Sequence, residues 1–277
     1  MSLDAVMQAI ALNGVAVEAN QRAFTLGRWA VYDGERVDKM LAAVGGAGAD
    51  APPPARLDAL IAHREALLTA YQDCRYASRY RALVERVRAR EALCGQTSEA
   101  LARTVAHNAA KLMAYKDEYE VARLYTDGDF AQALARTFAG KPKPYFHLAP
   151  PLLARRDPDT GLPRKRMFGP WLWPVLKGLA RLKGLRGTWA DVFGYQAERR
   201  LERQLIADYF ALVEELCAKL GPANHGLALK LAALPERVRG FGHIKARQVA
   251  EMRAQQARLL ANFRSASTAG DSARPAA

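Results

Sequence analysis

Between about Arg56 and Ala92, apolar residues return at near-heptad spacing: Leu57, Leu60, Ile61, Leu67, Leu68, Tyr71, Leu83, Val84 and Val87, with charges between them. Seven residues are close to two helical turns, so such a repeat draws one apolar stripe along a helix and demands a neighbour to cover it. The spacing predicts one long amphipathic helix. Gly95 ends it, Thr97 or Ser98 offers a capping hydroxyl, and Leu101, Val105, Leu112, Tyr115 and Tyr119 predict a second helix reaching about Tyr125. Two long helices joined by a short loop pack as an antiparallel pair.

The remainder reads in the same way, with one interruption. Ser2 caps a short helix carrying Leu3, Val6, Met7 and Ile10 on one face, Asn13-Gly14 breaks it, and a second helix runs from about Val15 to Val31, with Val17, Asn20, Phe24 and Leu26 among its contacts. Two short helices with no preceding sheet read as the tail of a domain whose body is not in this chain. Residues 45–55 are a Gly/Pro linker. Gly46, Gly48 and Ala51 match a dinucleotide fingerprint in letters, but prolines stand where its helix should begin. Asp129 caps a short helix through Phe138. The segment 144–168 then alternates around the turn Asp157-Pro158-Asp159-Thr160-Gly161 and predicts a small β-hairpin. Helices follow over about 170–183, 196–220 (Leu201, Leu205, Tyr209, Val213, Leu216 and Leu220 on one face), 222–234 and 244–263, and the small polar stretch 265–277 is expected to be disordered. The fold class expected is mainly α, a helical bundle with long antiparallel helices and a β-hairpin insertion, its main domain spanning 56–264.

The charge is uneven. The chain carries 41 Lys and Arg against 28 Asp and Glu, a formal +13. Between Lys141 and Asp191 stand eleven Lys or Arg and three Asp, a local surplus of +8. A surplus of this size attracts acidic partners by long-range field. Arg155, Arg156, Arg164, Lys165, Arg166, Lys183 and Arg186 are therefore candidates for an anion or partner docking face, against the alternative of solvated charges and intrachain pairs. Trp171 and Trp173 beside Lys177 and Arg181 suit either a membrane-surface helix or, better, aromatic anchors that fasten the hairpin to the helices. Pro174 and Gly178 argue against a clean membrane-surface helix.

Candidates for chemistry are sparse. Lys111 and Glu118, seven apart, flank one apolar stripe, and Lys116 and Glu120 stand at i, i+4. They read as seam charges or as a lysine–carboxylate set. His147 and His243 lie among aromatic, proline and glycine residues, where polar groups are site candidates or loop-holding side chains. Cys74, Cys94 and Cys217 include no CxxC pair, and this sparse, odd count fits a reducing cytoplasm. No P-loop, HExxH or GxSxG sequence occurs, no basic leader precedes an apolar stretch at the start, and no apolar run reaches the ~20 residues of a membrane span. No cofactor, metal or catalytic residue is assigned to this chain on its own.

Several stretches resemble one family. KLMAYKDEYEVARLY (111–125), FHLAPPLLARRDP (146–158), KRMFGPW (165–171), ARLKGLRGT (180–188), FGYQAERRLER (193–203) and LPERVRGFGHIK (234–245) look like the C-terminal domain, of unassigned function, in fused indolepyruvate ferredoxin oxidoreductases. The resemblance is ordered along residues 55–247, and residues 2–28 resemble the end of the gamma domain that precedes that domain, which makes 1–44 its remnant. The resemblance implies a thiamine-diphosphate-dependent enzyme that oxidatively decarboxylates an aryl 2-oxoacid, passes electrons through iron–sulfur clusters to ferredoxin and forms an acyl-CoA. Thiamine diphosphate, Mg and the clusters belong to parts of the parent enzyme outside this chain, so none of its cofactor-binding residues is carried over. The function expected is a structural or partner-docking role beside the catalytic domains, with ferredoxin or CoA as the candidate anion. The alternative is a stand-alone basic helical module for nucleic acid or another polyanion.

Overall fold

In the computed structural model the described residues are 2–13, 17–37, 56–127, 130, 132, 136, 143–148, 166–240 and 242–272, without the side chains of residues 13, 242, 243 and 267–272. The chain forms two compact units, Met1–Pro54 and Ala55–Ala277. The expected linker at 45–55, the helix through Phe138 and the turn at 157–161 lie wholly or largely outside the described residues.

Among its described residues the first unit holds α1 (Leu3–Asn13), α2 (Val17–Tyr32) and a further helical stretch at 34–37, which Asp33 opens by accepting from the Arg36 amide at 3.1 Å. Ser2 Oγ accepts from the Ala5 amide at 3.3 Å, an N-terminal cap. Gln21 Nε2 donates to the Met7 carbonyl at 3.3 Å and ties the second helix to the first.

The second unit is mainly α. The run expected as one helix from 56 to 92 is two, α3 (Leu57–Tyr71) and α4 (Cys74–Leu93). The break has a local cause: Gln72 leaves helical geometry, and the Asp73 carboxylate accepts from the Tyr76 amide at 2.7 Å, so Asp73 opens a new helix. The second expected helix is also two, α5 (Ala100–Met113) and α6 (Glu118–Thr126). Asp117 caps α6 by accepting from the Glu120 amide at 2.8 Å. Neither Thr97 nor Ser98 caps α5. Glu91, buried near the end of α4, does so by accepting from the Leu101 and Ala102 amides at 2.9 Å each. At the other end of this pair the Tyr76 hydroxyl donates to the Met113 carbonyl at 2.9 Å, so α4 and α5 run antiparallel.

Two strands, β1 (Phe146–Leu148) and β2 (Arg166–Phe168), pair antiparallel with Phe146 opposite Phe168 and His147 opposite Met167. Then come α7 (Leu172–Arg181), a 3-10 turn (Leu182–Leu185), α8 (Ala197–Lys219), α9 (His225–Ala233), a second 3-10 turn (Leu234–Arg237) and α10 (Gly242–Ser272). α10 continues past Phe263 into the stretch expected to be disordered, and 273–277 lie outside the described residues.

The main core joins α3, α4, α5, α8, α9 and α10 through Leu60, Tyr80, Val105, Tyr209, Leu216, Leu231 and Phe263. Burying each such side chain is worth about 1.5–3 kcal/mol. A smaller apolar cluster gathers α6, the hairpin and α7: Ala122, Phe146, Leu172 and Leu176, with Tyr125, Phe168 and Trp173 against them. Trp173 stacks on Phe130 and tilts against Phe146, with 5.9 Å between ring centroids in both cases. Trp173 is thus the aromatic anchor the sequence suggested. Trp171 also meets the hairpin, edge-on to Phe168 at 6.1 Å between ring centroids, but stands 63% exposed.

Candidate docking site

The smaller lobe continues into residues 182–196, whose backbone is fixed by two buried acids. Arg186 is 5% exposed, and Asp117 grips it from two sides: Nε donates to Oδ2 at 2.5 Å and Nη2 to Oδ1 at 2.9 Å. Nη1 donates to the Tyr71 carbonyl at 2.6 Å, and the guanidinium lies over the Tyr71 ring, 3.7 Å from its centroid. Burial and the Asp117 carboxylate push the Tyr71 phenol up, so it stays protonated and donates to the Tyr115 carbonyl at 2.9 Å. Asp191 is the second pin. It accepts from the Gly187 amide at 2.8 Å, the Gly194 amide at 3.0 Å and the Tyr119 hydroxyl at 3.2 Å. Burial, with Asp191 beside it, pushes the Tyr119 phenol up to about 12.

Two glycines make that grip possible. Gly187 sits at φ +76°, the left-handed region, and a Cβ on Gly194 would fall 2.5 Å from Asp191 Oδ2. The loop so held presents Trp189 at 88% exposure with Val192 and Tyr195 also exposed, and the Tyr195 hydroxyl donates to the Trp189 carbonyl at 2.7 Å.

The seven expected docking cations therefore separate. Arg186 is internal, its guanidinium consumed by Asp117 and Tyr71. Lys183 is also engaged: its ammonium donates to the Ala70 and Thr69 carbonyls at 2.6 and 3.3 Å, capping the C-terminal end of α3. Neither is available to a partner, which corrects the expectation. Arg155, Arg156, Arg164 and Lys165 lie outside the described residues. Arg166 is exposed on β2, and Lys143, Lys177 and Arg181 are exposed nearby in sequence. None of these four makes an ion pair with another described residue.

Lys111, Glu118, His147 and His243 form no common site. The helix break at 114–117 removes the seven-residue relation between Lys111 and Glu118. Lys111 Nζ donates to the Pro235, Glu236 and Val238 carbonyls at 2.8, 3.1 and 3.0 Å, closing the end of the second 3-10 turn. Burial, then Arg239 and Lys245, push its pKa down. Glu118 takes both bonds of Arg199 on α8, at 3.1 and 3.2 Å. Glu120 pairs with Arg123 rather than Lys116. His147 is exposed on β1, and of His243 the structure describes only the backbone, in α10.

The polar groups that organise this unit escaped the sequence reading. Glu91 accepts from two amides and lies 2.9 Å from His225 Nε2, while Asp117 and Arg186 stand 69 residues apart. Among the described residues no group of three His, Cys, Asp or Glu is set to hold a metal, and no helix is long and apolar enough to cross a membrane.

Residues 57–258 match the profile of a family of unknown function, DUF6537. The chain belongs to that family. The match opens on the first residue of α3 and closes within α10, so the DUF6537 region covers both the bundle and the hairpin lobe and leaves the first unit outside. No curated protein and no solved structure matches the chain.

Proposed function

We propose that this DUF6537 chain is the C-terminal, non-catalytic part of a thiamine-diphosphate-dependent indolepyruvate (aryl 2-oxoacid):ferredoxin oxidoreductase, and that it works by docking on the catalytic polypeptide in the cytoplasm. The sequence resemblance over residues 55–247 supports the enzyme class. The observation that carries the docking role is the exposed basic and aromatic surface of the hairpin lobe. Arg166, Lys177 and Arg181 stand free there beside Trp171, while Arg186, Asp117 and Asp191 are spent on holding the neighbouring loop rigid. Rigid presentation matters because a partner that binds a preformed surface avoids the entropy of ordering it.

The chain's own residues do not fit an iron–sulfur cluster. Cys74 and Cys94 stand at opposite ends of α4, about 30 Å apart at ~1.5 Å per residue, and the Cys94 thiol is engaged by the Leu220 carbonyl at 3.3 Å. We accordingly assign the electron carriers to the catalytic polypeptide and position to this chain. The test is co-expression with the thiamine- and cluster-binding polypeptide, followed by size-exclusion chromatography. The two should co-elute at low salt and separate when Arg166, Lys177 and Arg181 are all changed to Glu. Independent elution of the unaltered chain at low salt would overturn the proposal.

Exposed Trp171, close in sequence to the free Arg166 and Lys177, also suits a single-stranded nucleic acid, whose bases stack on aromatic faces. Binding of random single-stranded DNA with a steep salt slope would favour that second reading.

A further inference from the structure

α7 is apolar on two sides, and only one of them is covered. Leu172 and Leu176 are buried, and Trp173, Leu179 and Ala180 pack against the hairpin and α6. The opposite side shows Trp171, Pro174, Val175, Gly178 and Leu182 to solvent, with Trp171 63%, Val175 54% and Leu182 49% exposed. Positions 171, 174, 175, 178 and 182 fall at i, i+3, i+4, i+7 and i+11, one stripe along the helix. Above Gly178 a side-chain carbon would meet nothing within 4 Å, so the stripe is open there. The patch continues onto the hairpin. Trp171 and Tyr145 both flank Gly169, where a Cβ would lie 3.3 and 3.9 Å from them, and Met167 is exposed beside these residues in sequence.

Its rim carries a single sign of charge. Within residues 166–185 the exposed charged side chains are Arg166, Lys177 and Arg181, and the stretch contains no Asp or Glu. An apolar centre with Trp and Arg at its edge is the composition of a protein interface, where a few aromatic and Arg anchors carry most of the binding energy. We propose that the outer face of α7, with Tyr145 and Met167, docks an amphipathic helix of a separate polypeptide, apolar on its inner side and edged by Asp and Glu. This rests on the docking role proposed above and names its partner's chemistry. A second copy of this chain is disfavoured, because a two-fold contact would set the same cations against each other.

The probes are two labelled peptides of about 20 residues, with Leu at i, i+3, i+4 and i+7 and flanks of Glu in one and Lys in the other. Vesicles of phosphatidylcholine, with and without phosphatidylglycerol, serve as the lipid arm. Fluorescence anisotropy should show the full chain binding the Glu peptide at least about tenfold more tightly than the Lys peptide, with affinity falling as salt rises. Val175→Glu and, separately, Lys177→Glu should each weaken binding about tenfold or more while leaving the melting temperature unchanged, because both side chains point to water. Equal affinity for the two peptides, no affinity for the Glu peptide, or binding to anionic vesicles that Val175→Glu abolishes would overturn the inference. Loss of peptide binding with co-elution intact would move the docking surface elsewhere on the chain. Peptide binding without co-elution would overturn the oxidoreductase reading alone.

Discussion

Replacing Asp117 by Ala removes the side chain that ties the start of α6 to Arg186. Its carboxylate accepts from two nitrogens of Arg186 and from the Glu120 amide, with the Asp117 and Arg186 side chains only 3% and 2% exposed. Breaking a buried ion pair from one side costs about 3–5 kcal/mol, because the surviving charge stays buried without its counter-charge. Loss of the cap on α6 adds about 1 kcal/mol. Arg186 keeps its bond to the Tyr71 carbonyl and its contact with the Tyr71 ring, which places the sum near the lower end, about 4 kcal/mol. That is a large share of the ~5–15 kcal/mol of a typical domain, so the variant should unfold at distinctly lower urea. Asp117→Asn, which keeps the cap and loses the charge, should fall between. The double change Asp117→Ala, Arg186→Met should be less damaging than the sum of its parts, since no unpaired charge remains. Urea unfolding followed by far-ultraviolet circular dichroism measures all of these. A loss below about 1 kcal/mol for Asp117→Ala, the size typical of an exposed pair, would refute the reasoning.

Glu91→Gln sets an NH2 donor against either the Ala102 amide or both the Leu101 amide and the His225 ring, and should cost about 2–4 kcal/mol in the same assay. His107 is held below its ordinary 6.5 by burial and then by Arg64 and Arg103, so the unfolded chain binds its proton first. Stability from this group is complete above about pH 6.5 and is lost as pH falls toward the folded-state pKa. His107→Gln should therefore lose less melting temperature than the parent between about pH 7.5 and 5.5, and an identical loss would count against it. Burial pushes the Cys217 thiol up to about 11, while Cys74 is exposed. Iodoacetamide at about pH 8 should label Cys74 in the native chain and Cys217 only after unfolding, as mass spectrometry would show; equal native rates would contradict the burial.

Much of the helical framework was legible because side-chain periodicity is local. The stripe of α8, from Leu205 through Tyr209 and Val213 to Leu216, and the strands around 146–168 follow from residue types a few positions apart. The helix breaks were legible in principle. Asp73 and Asp117 each precede a periodic run, as capping residues do, but the apolar stripe continues across both and hides the break. The candidate site was less legible because charge counting sees residues and not their partners. Lys183 and Arg186 add to the local surplus, yet one caps α3 and the other is held by an acid 69 residues away. Nothing in their neighbouring letters distinguishes them from Lys177 and Arg181, which face water.

The central claim is that this chain contributes position rather than chemistry to a 2-oxoacid oxidoreductase. Indolepyruvate oxidation with CoA, followed by reduction of an acceptor dye, tests it with the chain alone, the catalytic polypeptide alone, and the two together. The purified chain should show no turnover, and the mixture should turn over as a salt-sensitive complex. Turnover by the purified chain alone would contradict it.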